Sequence, residues 1–196
     1  MSTTPPAEPR LRVDAQRNYD AVLAAAHRLF AEHGIDVPMD EIGREAGVGK
    51  GTLYRHFPTK DHLYAAVSLE RFARLRDRAD ELASQADPWD ALASWVRDFD
   101  LSAHHYRGLS GRVSEGLGRE DSEVSRACLP MRARADVLLR RAQDSGEMDP
   151  NIDIKALLTL VSSLPDSYRD GDGSSNLLDV VLNGLHRAPS PPPTHG

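Results

Sequence analysis

Six internal prolines, at positions 38, 58, 88, 130, 150 and 165, constrain this chain more than any other feature. They fall mostly between segments whose apolar residues recur at helical spacing. Proline fixes φ and removes an amide donor, so it starts or stops helices and is poorly placed inside them. A chain punctuated in this way is expected to be all-α.

The segments follow from the spacing. Tyr19, Val22, Leu23, Ala26, Leu29 and Phe30 mark a first helix from about Asp14 to His33, with Gly34 as its stop. A short second helix follows Pro38, with Asp40 and Glu41 in its first turn, where the helix dipole favours acids, and ends near Ala46. Gly47-Val48-Gly49 is a turn. A third helix of about two turns runs from Lys50 to His56, and Pro58 breaks it. Thr59 caps a fourth helix that meets no Gly or Pro before about Gln85. Beyond Pro88, Trp89 to Phe99 mark one helix, and the glycine-rich 107 to 118 gives a short, loose one. Val124 to Leu138 mark a long helix that ends at Gly146 and is kinked at Pro130. Ile154 to Leu164 and Leu177 to Leu185 close the chain, separated by the polar Asp-Gly-Asp-Gly-Ser-Ser-Asn. About nine helices result. The proline-rich ends, residues 1–11 and 188–196, are expected to be disordered.

The composition excludes several classes. At 196 residues and 40% hydrophobic content the chain can bury a sizeable core, and its one cysteine, Cys128, forms no intramolecular disulfide. No signal-peptide run follows the N-terminus, so a cytoplasmic location is expected. No apolar stretch approaches the roughly 20 residues of a membrane helix, so no membrane partner is expected. The net charge is −6, but residues 1 to 60 balance 8 basic against 8 acidic side chains. Between residues 42 and 60, Arg44, Lys50, Arg55 and Lys60 face Glu45 alone. Local charge decides what a surface attracts, and here it favours polyanions.

That basic stretch contains the most informative motif, "GVGKGTLYRHFPTK" at residues 47 to 60. Two short helices joined by a tight glycine turn and preceded by a packing helix form a helix-turn-helix. Leu53 and Phe57 share one face of the third helix and match Ile42, Ala46 and Val48 as a small core. Gly51, Thr52 and Arg55 point the other way, with Tyr54 and His56 on the shoulders. Such a face suits the major groove, with Gly51 allowing close approach to a base pair and Lys60 placing its charge at the next helix's N-terminus. Gly-Lys-Gly-Thr also occurs in phosphate-binding loops, but no strand precedes it and the Walker spacing is missing.

The stretch from Asn18 to Leu63, and "GVGKGTLYRHFPTKDHL" in particular, resembles the DNA-binding domain of the TetR family of bacterial transcriptional regulators. The resemblance implies that residues 12–63 bind double-stranded DNA and that the fourth helix leads into an all-helical regulatory and dimerisation domain at residues 64–187. It also implies a homodimer on a near-palindromic operator. Carried over by position, Lys50, Gly51 and Thr52 lie nearest the bases and Tyr54, His56 and Lys60 on phosphates, with Arg44 and Arg55 completing the surface. Gly43 departs from the family, which more often has alanine there, at an expected cost of about 0.5 to 1 kcal/mol and no change in function.

In the larger domain, Leu177, Leu178, Val180, Val181, Leu182 and Leu185 spread over an arc of about 200° at 100° per residue, wider than a one-sided helix needs. Two readings stand: a central helix, or a dimer face. The second, which the resemblance also implies, names Leu157, Leu158, Val161, Leu164, Leu178, Val181, Leu182 and Leu185 as the interface. An effector pocket, if present, draws on Trp95, Phe99, Tyr106, Cys128, Met131 and Arg134, for each of which ordinary core or surface is the commoner role. His104 and His105, adjacent on a helix, do not share a face and read as a solvated pair. Cys128 reads as a small buried hydrophobe. Arg71, Arg74 and Arg78 read as a solvated face of the fourth helix. No nucleophile with a base, no paired carboxylates in a motif, no metal-ligand spacing and no cofactor motif occurs, so no enzyme is expected. The resulting expectation is a DNA-binding regulator, a repressor released by an unknown small molecule. An activator or ligand-independent regulator of the same fold, or a helical binding protein or enzyme with a vestigial helix-turn-helix, are the alternatives.

Overall fold

A computed structural model describes residues 8–85, 87–119, 121–165 and 177–187, with side chains from residue 13 onward. Among these residues there are nine α-helices and no strand: α1 (Glu8–His33), α2 (Met39–Glu45), α3 (Lys50–His56), α4 (Lys60–Leu82), α5 (Pro88–Ala103), α6 (Leu109–Gly118), α7 (Glu123–Asp144), α8 (Ile154–Ser162) and α9 (Leu177–Leu185). The expectations for residues 1–7, 188–196 and the Asp-Gly-rich separator fall outside the described residues.

The chain divides into two compact units, with the division between Val67 and Ser68, inside α4. In the first unit α1 packs on both α2 and α3. Val22, Ala25, Ala26, Phe30, Ile42, Leu53, Phe57 and Leu63 form its core. The Tyr64 hydroxyl, also buried, donates to the Ile35 carbonyl at 3.0 Å and so seats the first turns of α4 on the end of α1. α1 begins at Glu8, earlier than the apolar periodicity indicates, with Pro9 in its first turn where no amide donor is missed. Thr59 caps α4 by accepting from the His62 amide at 3.4 Å.

In the second unit α5 packs on α7 and α8, and α6 packs on α8 and α7. Trp95 is fully buried, stacks on Phe99 at 5.7 Å, and donates its indole N–H to the Leu75 carbonyl of α4 at 2.8 Å. α9 is held by Asp179 to Arg97 of α5 at 3.1 Å, and beyond its end His186 stacks on Trp89 at 4.5 Å. In this unit Asp87, Ser122 and Asp153 cap the starts of α5, α7 and α8 with their side chains. The glycine-rich stretch expected to be loose is a regular helix, and one of its glycines explains why. A Cβ on Gly116 would lie 2.7 Å from Val124 Cβ, so the bare backbone lets α6 close on α7. α7 runs unbroken through Pro130 and stops before Gly146, whose φ is +80°.

Candidate nucleic-acid interface

Of the two glycines in the turn between α2 and α3, only Gly47 has the backbone that requires one. Gly47 has a φ of +66°, which side-chain-bearing residues rarely adopt, whereas Gly49 sits at −64° as the extended N-cap of α3. Gly51 is exposed on α3, and a Cβ there would meet nothing within 4 Å, so its bareness matters only to a partner that approaches from outside. A Cβ on Gly43 would stand 3.0 Å from Leu53 Cδ2, so α2 and α3 approach closely there. Ala46 and Val48 are only half-buried, so the core beneath α3 is Ile42, Leu53 and Phe57.

The outward side chains of α3 form one linked surface. Lys50 Nζ donates to Asp40 at 2.9 Å and lies 5.8 Å from the Tyr54 ring, and the Tyr54 hydroxyl donates to the other Asp40 oxygen at 3.3 Å. The Lys50 ammonium holds the Asp40 carboxyl below its ordinary value, and Asp40 in turn raises Lys50. Both groups are exposed, so the pair orients side chains rather than stabilising the fold. Arg44 is exposed and 3.7 Å from Glu41, Arg55 is exposed, and Thr52 is half-buried. His56 is also half-buried, and its ring meets Tyr19 edge-on at 5.9 Å, while Tyr19 stacks on Phe57 at 5.0 Å. Lys60 Nζ sits 5.7 Å from the Tyr64 ring at the start of α4. Arg28 of α1 bridges to Glu45 at 3.0 Å and ties the packing helix to α2.

Sequence reasoning missed Asp40 and Tyr19 as supports of this surface. The acid reads as a dipole partner from its position in the first turn, and nothing local announces that Lys50, ten residues on, folds back to it.

The larger unit corrects several expectations. Trp95, Phe99, Tyr106, Cys128 and Met131 are buried, and Arg134 lies on the surface 3.3 Å from Asp80. Cys128 donates to the Ser125 carbonyl, and burial pushes its thiol pKa up, as suits a small core residue. His104 is not solvated: its side chain is 2% exposed, packed against Asp100, with its ring nitrogens 2.9 Å from the Asp100 carbonyl and 3.0 Å from the Leu164 carbonyl. Only His105 is exposed. Arg71 is buried too, under the Tyr106 ring. Among the proposed interface residues, Leu157, Leu158, Val161, Leu178 and Leu182 are buried within the chain's own core, because the wide apolar arc serves internal packing first. Leu164, Val181 and Leu185 are half-buried. The large apolar side chains left outward on these helices are Leu160, 43% exposed, and Val180, 53% exposed. Among the described residues no group of three or more His, Cys, Asp or Glu could hold a metal, and no helix is long and apolar enough to cross a membrane.

A short helix displayed on a three-helix support, carrying cations and hydroxyls outward, defines a helix-turn-helix DNA-binding protein. Residues 22–67 match the family described as bacterial regulatory proteins, tetR family, and residues 87–187 match the transcriptional regulator SbtR-like C-terminal domain. A TetR transcription regulatory protein from Mycobacterium vanbaalenii is 35% identical in sequence, over 90% of this chain and 99% of that one, with a TM-score of 0.46. An HTH-type transcriptional regulator of Staphylococcus aureus (strain USA300) is 44% identical over 54 residues, 27% of this chain. The chain spans only 29% of the length of that curated relative. RolR, solved in complex with resorcinol, shares the fold at 19% identity over 89% of this chain and 90% of that one, with a TM-score of 0.61. The chain belongs to the TetR family and is a helix-turn-helix transcriptional regulator.

Proposed function

We propose that this regulator is a homodimeric repressor, bound to a near-palindromic operator and released when a small molecule occupies its larger unit. The observation that carries the reading is the outward face of α3, where Lys50, Thr52, Tyr54 and Arg55 surround the bare backbone of Gly51. Lys50 and Thr52 reach base edges past Gly51, and Tyr54, His56, Lys60, Arg44 and Arg55 hold phosphates. Outward Leu160 and Val180 support a second copy of the chain packing over α8 and α9. That RolR has been solved with a small ligand supports an effector in the helical unit. α4 belongs to both units, so an effector that shifts it alters how two recognition helices meet successive major-groove faces. Effector and DNA then bind antagonistically.

The test is Lys50→Ala, assayed by fluorescence anisotropy on a duplex selected for binding and on a random duplex. The expected result is a loss of about 1–3 kcal/mol on the selected duplex and a much smaller one on the random duplex. Equal losses on both would remove Lys50 from base reading.

A further inference from the structure

A cleft of about 740 Å³ lies in the second unit between α4 and the end of α5, lined by Arg71, Arg74, Leu75, Arg78, Leu101 and His105 among others. Its size is that of a small-molecule site. Three arginines line it, and two of them are satisfied. Arg74 pairs with Glu70 at 2.6 Å, and Arg78 with Asp98 at 3.0 Å and Glu81 at 3.1 Å. Arg71 differs. It is only 7% exposed, its guanidinium lies 4.9 Å from the Tyr106 ring centroid, and its Nη2 has no hydrogen-bond partner among the described residues. Burial holds its pKa below the ordinary arginine value, although Tyr106 and, more weakly, Glu70 act to raise it.

A buried guanidinium with an open donor is half of an ion pair. We propose that the other half is the carboxylate of an effector: the cleft binds a small organic monocarboxylate, its charged end on Arg71 and its apolar body along Leu75 and Leu101. The planar fork of arginine suits a carboxylate, and stacking on Tyr106 fixes the plane of that fork. Leu101, on the last turns of α5, is 68% exposed, an apolar side chain that lines the cleft. The cleft selects a single charge. Asp77, Glu81 and Asp98 also line it and balance the three arginines in number, so a phosphate dianion meets repulsion that a monocarboxylate largely escapes.

This deepens the effector reading and rests on it. The experiment is isothermal titration calorimetry of the full chain with sodium octanoate and sodium benzoate, with octanamide, benzamide and inorganic phosphate as controls. At least one carboxylate is expected to bind, and its amide and phosphate to bind at least tenfold more weakly. Arg71→Met, which keeps the packing and removes the charge, is expected to weaken the carboxylate at least tenfold. Leu101→Glu, at an exposed position that the fold does not need, is expected to weaken it similarly by repulsion and serves if Arg71→Met fails to fold. Failure of both carboxylates to bind, or binding unchanged in the variants, overturns the site. The same ligand is then added to the protein on its selected duplex. Binding to the free protein without release of the duplex leaves the site standing and overturns release by ligand.

Discussion

Trp95→Ala is expected to cost about 3–5 kcal/mol and to lower the melting temperature by about 6–20 °C. The indole is fully buried, stacks on Phe99, and makes the hydrogen bond at 2.8 Å that fixes α5 to the Leu75 carbonyl. Truncation removes the largest side chain of the second unit's interior and leaves a cavity that helices held on several sides cannot close. Thermal unfolding followed by circular dichroism checks this. The alternative role for Trp95, as a wall of an effector pocket, predicts the opposite pattern, with stability near that of the wild type and loss of ligand binding.

Phe57→Ala is expected to be as costly, about 3–5 kcal/mol, and to act on the first unit. Phe57 is the C-cap residue of α3, 1% exposed and stacked on Tyr19 at 5.0 Å. α3 is only seven residues long, far below the length at which a helix holds itself in water, so its geometry comes from Leu53 and Phe57 beneath it. Removing Phe57 therefore frees the recognition helix. Duplex affinity measured by anisotropy should fall on selected and random sequences together, because the whole contact surface loses its frame. Affinity close to wild type would mean that α3 is held in some other way.

The helix-turn-helix was legible because its signals are local. Gly47 marks the turn, Pro58 ends the third helix, and the spacing of Leu53 and Phe57 gives the buried face. What was not legible depends on what packs against a face. Arg71, Arg74 and Arg78 share a side of α4 by spacing, yet Tyr106 arrives over Arg71 and buries it, while Arg74 stays in water. His104 and His105 are neighbours on the chain, and one is buried because the end of α8 lies beside it and the other is not. Bulk singles out Trp95, Phe99 and Met131, and all three are buried. On α9 only Leu178 and Leu182 of the wide apolar arc are buried, while Leu177, Val181 and Leu185 are half-buried and Val180 is exposed.

The central claim is that α3 reads a specific DNA sequence as one of a symmetric pair. Selection of bound duplexes from a random library at near-physiological salt, followed by sequencing, tests it most directly. The account predicts enrichment of an inverted repeat whose half-sites lie one helical turn apart, about 34–36 Å, or a whole multiple of it. Recovery of duplexes with no shared sequence would contradict it.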